Sequence, residues 1–280
     1  MISQSNLYKC LSLSALLLSS AAVHAGLILS DDFNNGNVRD PEVYSGGATA
    51  NFWTNAGSES GGQFEAVVAN TSGFTGRNLN SVALTDAWEF FNQEITLSVR
   101  GINFTDTSTN GKSIPLANMQ TFFGFGSSGS TAWAADDGIS LQVRPNGGYN
   151  FRLSSDQPNN WGTNIASQTG VNGINGFDLT LGPGTTGVDY RLTIFNDDAD
   201  IVNTGNLAIE QGDWDSAIAN TSRFSIQVQE SVNPAVDPEQ EFTFNIDSLQ
   251  ISTIPEPTSA HLLGCGLMIV VALRRFYAAR

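Results

Sequence analysis

The central part of this 280-residue sequence lacks cysteine and histidine altogether. The chain has two residues of each type, and they lie near its ends, outside Gly26–Ile254: Cys10, Cys265, His24 and His261. Without a thiol or an imidazole, the central segment cannot form a disulfide, a Ser-His-Asp or Cys-His catalytic site, or a zinc site with such ligands. A segment of this length can bury an adequate core without disulfides.

Positive charge is also scarce. Of the 27 Asp and Glu residues, only Glu256 lies outside the central segment, whereas four of the 12 Lys and Arg residues lie outside it. The central segment therefore has 26 acidic and 8 basic residues, and its formal charge is −18. Nucleic acids and anionic lipids bind basic patches, so this composition argues against both as partners. It suits neutral glycans, or anionic matrices bridged by divalent cations. The alternative is that it simply keeps an exported protein soluble.

The amino terminus has the features of a secretory signal peptide. Lys9 supplies a weakly positive start, and Leu11–Val23 is rich in Leu, Ala and Ser. Val23 and Ala25 are small residues at the positions that signal peptidase reads. We therefore predict cleavage after Ala25, with residues 1–25 removed.

The carboxyl terminus has three parts. A segment that cannot be helical precedes 14 residues without formal charge and then two arginines: Pro255, Glu256, Pro257 and Thr258, then Ala260–Leu273, then Arg274 and Arg275. The apolar run predicts a transmembrane helix at about 259–273, with the arginines in the cytoplasm. Because 14 helical residues span only ~21 Å of a ~30 Å hydrocarbon core, a permanent short anchor is the alternative to a removable signal.

These parts, in this order, resemble the PEP-CTERM sorting signal of Gram-negative bacteria, over residues 254–280 only. The resemblance implies that an exosortase, a membrane-embedded cysteine protease-like enzyme, removes the tail in a species that makes extracellular polysaccharide. The expected processing partners are then signal peptidase and this enzyme. We expect export across the inner membrane, transient anchoring and a final place at the cell surface or outside the cell, with residues 26–253 as one domain.

Period-two alternation of apolar and polar residues predicts β-strands in this domain. The clearest strands are Ile95–Arg100, Ile139–Arg144, Tyr149–Ser154, Phe224–Gln229 and Phe242–Ile251, and weaker ones are Gln63–Ala69, Ser81–Leu84, Thr121–Gly126, Phe177–Leu181 and Asp189–Phe195. The second and third strands flank a turn at 145–148 and predict a hairpin. One apolar and one polar face per strand predicts an all-β antiparallel sandwich. The one helical segment is predicted at Asp213–Ile218.

Two short patterns resemble the concanavalin A-like jelly roll of lectins and laminin G-type modules. They are Asp137–Leu141, at a loop-to-strand junction, and Phe244–Leu249, in the last predicted strand. The resemblance implies a jelly-roll fold and no particular activity. Loops dense in Gly, Asn, Ser and Asp are predicted at Gly126–Asp137, Ser155–Asn175 and Asn196–Asn206.

Calcium is the predicted cofactor, as a structural ion. Asp31 and Asp32 open the first predicted strand and Asp247 lies in the last, and terminal strands are neighbours in many jelly rolls. Ca²⁺ takes several oxygen ligands at one place, which these carboxylates would supply. The alternative is that such aspartates cap turns of their own backbone.

Trp133, Asp136, Asp137 and Trp161 are the predicted polysaccharide-binding residues. An exposed indole beside carboxylates offers a sugar ring a stacking surface and its hydroxyls their acceptors. Trp214 likewise lies in a polar segment where core packing is not expected. Burial is the alternative for each tryptophan.

The predicted function is that of a non-catalytic surface or matrix protein that binds polysaccharide or is purely structural. A carboxylate-dependent glycan hydrolase or lyase on the same sandwich is the alternative, because carboxylates are the main acid–base groups left. The sequence lacks both the Glu-x-Asp-x-x-Glu strand of related sandwich glucanases and a histidine base. On these two absences we predict that the protein is not an enzyme.

Overall fold

The structure is a computed structural model that describes residues 26–37, 41, 43–44, 57–69, 77–83, 90–126, 138–154, 163–168, 173–218, 223–230 and 239–254. Leu27–Thr253 form one compact unit. The predicted signal peptide and the predicted sorting signal, with its transmembrane helix, lie outside the described residues. Among the residues that are described, no helix combines the length and hydropathy that a membrane span requires.

Sheet A has seven strands. In spatial order they are β14 (Ile201–Leu207), β13 (Val188–Asn196), β12 (Ile174–Pro183), β6 (Glu94–Arg100), β17 (Ser248–Ile254), β1 (Gly26–Asp31) and β2 (Val43–Tyr44). The burial of β6 alternates strictly, with Ile95, Leu97 and Val99 inside and their neighbours towards solvent. This alternation is the pattern from which the sequence predicted the strand.

Sheets B and C complete the fold. Sheet B contains, in spatial order, β11 (Thr163–Gln168), β10 (Tyr149–Ser154), β9 (Gly138–Val143), β8 (Met119–Gly126), β15 (Arg223–Glu230) and β5 (Arg77–Ala83). Sheet C contains β3 (Ser58–Ser60), β4 (Gln63–Ala69), β16 (Glu241–Ile246) and β7 (Asn103–Asp106). The pairs with a described register are antiparallel, including the predicted β9–β10 hairpin. The predicted all-β antiparallel class is confirmed.

Aromatic contacts join the sheets across one core. The Phe123 ring of sheet B lies 4.9 Å from that of Phe177 in sheet A, between centroids. A second bridge connects Phe151 of sheet B to Tyr190 of sheet A at 5.1 Å. Phe123 also faces Phe244 of sheet C at 6.3 Å. Such edge and tilted ring packing gives the sandwich its interior.

Two predictions about the terminal strands need correction. Asp31 ends β1 rather than opening it, because the strand begins earlier and alternates towards Leu29 and Asp31 on its buried side. The long last strand is two strands, β16 in sheet C and β17 in sheet A, with Asp247 between them. Asp247 N donates to Arg100 O at 2.9 Å, which fixes the change of sheet. The chain thus bends between Ile246 and Ser248, where it passes from sheet C to sheet A.

Two predicted loops contain strands. β11 lies within the loop predicted at Ser155–Asn175, and all of β14 except Leu207 lies within that predicted at Asn196–Asn206. Both are edge strands, and β14 is mostly exposed, so neither needs the alternating apolar residues by which a sequence shows a strand. Helix α1 (Gln211–Ile218) begins two residues before the predicted cap Asp213.

Candidate functional site

The residues predicted to bind polysaccharide, Trp133, Asp136, Asp137 and Trp161, lie outside the described residues. Trp214 is described, and its expected exposure is wrong. Its side chain is fully buried, with its ring 4.9 Å from that of Phe90 in an edge-to-face contact. In helix α1 the side chain of Trp214 points into the core, while its neighbours Asp213 and Asp215 are exposed. A helix in a polar segment can therefore still contribute one residue to the core.

Asp31 and Asp32, the first two predicted calcium ligands, both take part in local hydrogen bonds. Asp31 is buried, and its Oδ1 accepts a bond from Phe33 N at 2.9 Å. Asp32 is exposed, and its Oδ2 accepts from Asn34 Nδ2 at 2.6 Å. The bond to Phe33 N is of the Asx-turn type that the alternative interpretation expects.

Asp247, the third predicted ligand, accepts a hydrogen bond from Gln63 Nε2 in sheet C. As expected, the terminal strands β1 and β17 are neighbours. The described residues nevertheless contain no group of three or more acidic, histidine or cysteine side chains placed to hold a metal ion. The structural calcium therefore stays a prediction.

The outer side of sheet B, which points away from the core, carries a continuous set of mostly polar side chains. Residues of β8, β9, β10 and β15 that alternate with core residues share this side. We call this set the polar face: Gln120, Phe122, Ser140, Gln142, Arg144, Asn150, Arg152, Ser225, Gln227 and Gln229. It holds amides, hydroxyls and two arginines, with one phenylalanine and no carboxylate among these residues.

Strand register orders the polar face into rows. Gln227 lies opposite Phe122, Phe122 opposite Gln142, and Gln142 opposite Asn150. In the neighbouring row Arg152 lies opposite Ser140. Side chains opposite each other on one face of a sheet are within contact range. The rows therefore make one continuous surface across four strands.

Six of the ten polar-face residues are buried and the other four are half-buried, although the face points away from the core. Ser140 is 4% exposed, Gln142 8% and Gln227 0%. Water normally satisfies the outward side of an antiparallel sheet, which is why such positions are polar. Buried polar side chains instead need partners within the structure or a ligand.

Some of these partners exist, and some do not. Gln142 Nε2 donates to Gln120 Oε1, which also accepts from Arg144 Nη2 at 3.4 Å. Ser140 Oγ, Arg144 Nε and Asn150 Oδ1 are buried without a hydrogen-bond partner, in the part of the chain that the structure describes. Each such group costs ~1–3 kcal/mol unless a water or a ligand reaches it. Three on one face make the polar face the candidate functional site.

Most of these residues occupy the polar positions of alternating strands, a pattern that gives no sign of their burial. One signal could have marked them: the polar side of sheet B is rich in amides, whereas exposed strands usually carry Lys and Glu. Amides both donate and accept hydrogen bonds and carry no charge, so they tolerate burial better than charged groups do.

No protein-family model matches the chain, and no curated protein matches it. Solved structures with a similar fold do exist, at low similarity. One comes from work on endo-acting O-glycanases of the human gut microbiota that initiate mucin breakdown, with 9% identity, a TM-score of 0.48 and coverage of 81% of this chain and 98% of that one. An endo-1,3-β-glucanase from Streptomyces sioyaensis has 12% identity, a TM-score of 0.47 and coverage of 82% and 96%. The lectin UEA-II, complexed with galactose, has 11% identity, a TM-score of 0.44 and coverage of 80% and 97%.

These structures correct one prediction from the sequence. The prediction that the protein is not an enzyme is contradicted, because glycanases and a glucanase are among the solved structures with a similar fold. The absence of histidine and of one strand motif could not establish a non-catalytic role. At these identities and TM-scores the likenesses identify neither an activity nor a ligand for this chain.

Proposed function

We propose that the protein is an exported, polysaccharide-active enzyme, a glycan hydrolase or lyase, that holds its substrate on the polar face of sheet B. The observation that carries the proposal is the set of buried, unsatisfied polar atoms on that face. A polysaccharide presents many hydroxyls that both donate and accept hydrogen bonds. The amides of Gln120, Gln142 and Asn150 and the hydroxyl of Ser140 match this chemistry.

Phe122 adds an apolar element to the same surface. It is 2% exposed and stands outside the hydrophobic core cluster, between Gln227 and Gln142 in the row. Sugar rings have apolar faces that pack against aromatic side chains, while their hydroxyls bond to polar neighbours. An aromatic flanked by amides supports binding of a glycan rather than of an apolar ligand.

Cleavage needs acid–base groups in addition to this surface. The polar-face residues include no carboxylate, so the proposed catalytic acids are sought among residues adjacent in sequence to its strands. Asp136 and Asp137 directly precede Gly138, which starts the central strand β9. Paired carboxylates serve glycan hydrolysis as acid and base or as acid and nucleophile.

The test of this proposal is incubation of the purified full chain with extracellular polysaccharides. We expect new reducing ends, or new unsaturated sugar ends in the case of a lyase, together with retention of the protein on the polymer. Asp136→Asn or Asp137→Asn should remove cleavage and leave retention. Ser98→Ala on the outer side of sheet A is the control and should leave both unchanged. If the protein is retained on a polymer but cleaves none of them, the enzyme proposal is wrong. If the protein is retained on no polymer, the proposed binding surface is wrong as well.

The processing of the ends is a separate proposal that rests on the sequence. We propose that the chain is exported, anchored transiently by its carboxyl-terminal helix and released or transferred by an exosortase-like enzyme. Deleting Pro255–Thr258 should leave an uncleaved form in the membrane fraction. Normal cleavage and release of that deletion variant would contradict the proposal.

A structural calcium near Asp31, Asp32 and Asp247 is likewise proposed. Ligand binding to the folded state alone raises the midpoint of thermal unfolding. We expect Ca²⁺ to raise it, Mg²⁺ to do so less, and Asp247→Asn to lessen the effect. Equal midpoints of thermal unfolding with Ca²⁺ and with a chelator would contradict the proposed calcium site.

A further inference from the structure

Arg144 directly follows β9, where the polar face meets the β9–β10 turn. Its backbone is held on both sides of the turn: Arg144 N donates to Gly148 O at 2.9 Å, and Gly147 N donates to Arg144 O at 3.1 Å. Gly147 takes the left-handed backbone conformation, with φ +76°, that this turn requires. The guanidinium therefore extends from a fixed point of the sheet.

The guanidinium of Arg144 has few hydrogen-bond acceptors among the described residues. Its Nη2 makes a long bond of 3.4 Å to Gln120 Oε1, an acceptor that Gln142 already uses. Its Nε is buried and donates to nothing in the described part of the chain. Among the described residues the ion pair is that of Arg100 with Asp178 in sheet A, so Arg144 has no carboxylate partner there. A half-buried cation without an anion is costly in any protein.

The absence of such a partner is notable in this protein because acids outnumber bases by 26 to 8 in its central segment. Carboxylates are by far the commonest charged groups that this composition offers as neighbours. The residues around Arg144 are instead neutral: Gln120 and Gln142 beside it, and Ser140 and Asn150 farther along the face. None of them carries a charge that would neutralise the guanidinium, and its contact with them is the long bond from Arg144 Nη2 to Gln120 Oε1.

We propose that Arg144, with Gln120 and Gln142, forms a subsite for the carboxylate of a uronic acid, so that the substrate is a polyuronate. This inference rests on the proposed function of the polar face and specifies its substrate class. Nε and Nη of an arginine bind the two oxygens of a planar carboxylate in a fork, which satisfies the orphaned Nε. Gln120 Nε2 supplies a further donor, and Ser140 Oγ and Asn150 Oδ1 bond hydroxyls of the same or the next sugar.

The subsite also explains how an acidic protein can hold an acidic polymer. Over distances beyond ~8 Å at physiological salt, the charge of the body is largely screened. At contact, a charge-assisted bond in a buried setting outweighs that screened repulsion. Selection of the anion is thus a short-range property of the polar face, and it should depend on this one arginine.

The experiment compares polymers that differ only in charge. The full chain is passed over immobilised polygalacturonate and alginate, over the same two polymers with their carboxylates reduced to alcohols, and over dextran sulfate. We expect retention on at least one polyuronate, at least tenfold weaker retention on its reduced form, and none on dextran sulfate beyond that of the reduced form.

Variants assign the effect to the subsite. Arg144→Met should weaken retention on the polyuronate at least tenfold, to the level of the reduced polymer, and Arg144→Lys should lie between. Arg100→Met is the matched control, since it removes one arginine from the outer side of sheet A, and it should retain wild-type binding. Unchanged thermal unfolding of Arg144→Met excludes misfolding as the cause.

The outcomes separate this inference from the proposed function. Equal retention on native and reduced polymers, or wild-type retention by Arg144→Met, overturns the carboxylate subsite and leaves a neutral glycan as the substrate. Stronger retention on dextran sulfate than on both polyuronates overturns it in favour of a sulfate ester. Retention on no polymer at all overturns the polar face as a glycan site and this inference with it.

Discussion

The outer side of sheet A offers a direct comparison with the polar face of sheet B, since both belong to one sandwich and face away from one core. On sheet A, Arg100 donates to Asp178 at 2.7 Å and lies 4.5 Å from the ring centroid of Phe195. The hydroxyls of Thr96 and Thr180 lie 3.0 Å apart. These groups pair with one another and remain exposed or half-buried.

On sheet B the same kind of strand position has the opposite properties. Ser140, Gln142 and Gln227 are buried, and the face carries three polar atoms without partners in the described part of the chain. A surface that serves solubility gains from satisfied or solvated groups, as sheet A shows. Unsatisfied buried groups lower stability, and each one in a folded protein needs an explanation such as a bound water, an ion or a ligand. This contrast is the reason for choosing the polar face as the candidate site.

The core beneath both faces should respond alike, and substitutions there should have the largest effect on stability. Leu97→Asp in sheet A and Leu141→Asp in sheet B each place a carboxylate at a side chain that is 0% exposed. Burial of an unpaired charge costs several kcal/mol, of a total stability of about 5–15 kcal/mol. Both variants should lose the cooperative unfolding transition in circular dichroism.

The control for this pair introduces the same residue on the outside. Thr204→Asp is exposed on β14 and lies opposite Arg191, so it should change stability by less than about 0.5 kcal/mol. A native-like midpoint for Leu141→Asp would mean that the sheet B side of the core is misassigned.

Two glycines sharpen the comparison at the level of the backbone. A Cβ added to Gly138 in β9 would lie 2.4 Å from Phe125 O, whereas one added to Gly182 in β12 would meet nothing closer than 3.6 Å. Gly138→Ala should therefore force β8 and β9 apart and cost about 1–3 kcal/mol. Gly182→Ala should be neutral or slightly stabilising. Equal midpoints of chemical unfolding would show that β9 can shift freely against β8.

Removal of one hydroxyl from each face should affect the free energy of unfolding differently. Thr96→Val on sheet A removes a paired hydroxyl and should cost about 1 kcal/mol. Ser140→Ala on the polar face removes a buried hydroxyl without a partner and should leave stability unchanged or raise it by about 1 kcal/mol. Retention on polysaccharide should fall for Ser140→Ala alone. A loss of stability in Ser140→Ala would reveal a hydrogen bond that contradicts our interpretation of the face.

The sequence predicted more of the fold than of the site, for a physical reason. Alternation locates strands such as β6 and β9 because a sheet with a buried side must place an apolar residue at every second position. Alternation did not reveal the edge strands β11 and β14. An edge strand pairs with a single neighbouring strand and is more exposed to solvent, so it does not need an apolar residue at every second position. Trp214 was misjudged because a single helical turn can bury one residue among exposed neighbours.

The site itself could not be read from alternation. Ser140, Gln142 and Asn150 have the pattern of solvated strand residues, and only the structure shows that they are buried or half-buried and partly unsatisfied. Burial of an outward face depends on which segments pass over it, and that is decided by contacts between residues far apart in sequence. The lack of an acidic partner for Arg144 among the described residues is also a property of the fold and not of the composition.

The smallest expected effect concerns the edge where the two sheets meet. Tyr190 of sheet A packs against Phe151, beneath the polar face, and burial followed by the proximity of Tyr149 raises the pKa of Tyr190 above its ordinary value of 10.0. Above pH 10 the unfolded chain loses the phenol proton while the folded chain keeps it. The unfolded state then binds fewer protons, so the free energy of unfolding falls as the pH rises through and beyond 10. Tyr190→Phe should match the wild type below pH 10 and show a shallower decline above it, in urea unfolding measured across this range. An unchanged alkaline decline would mean that this edge of the core is open to water.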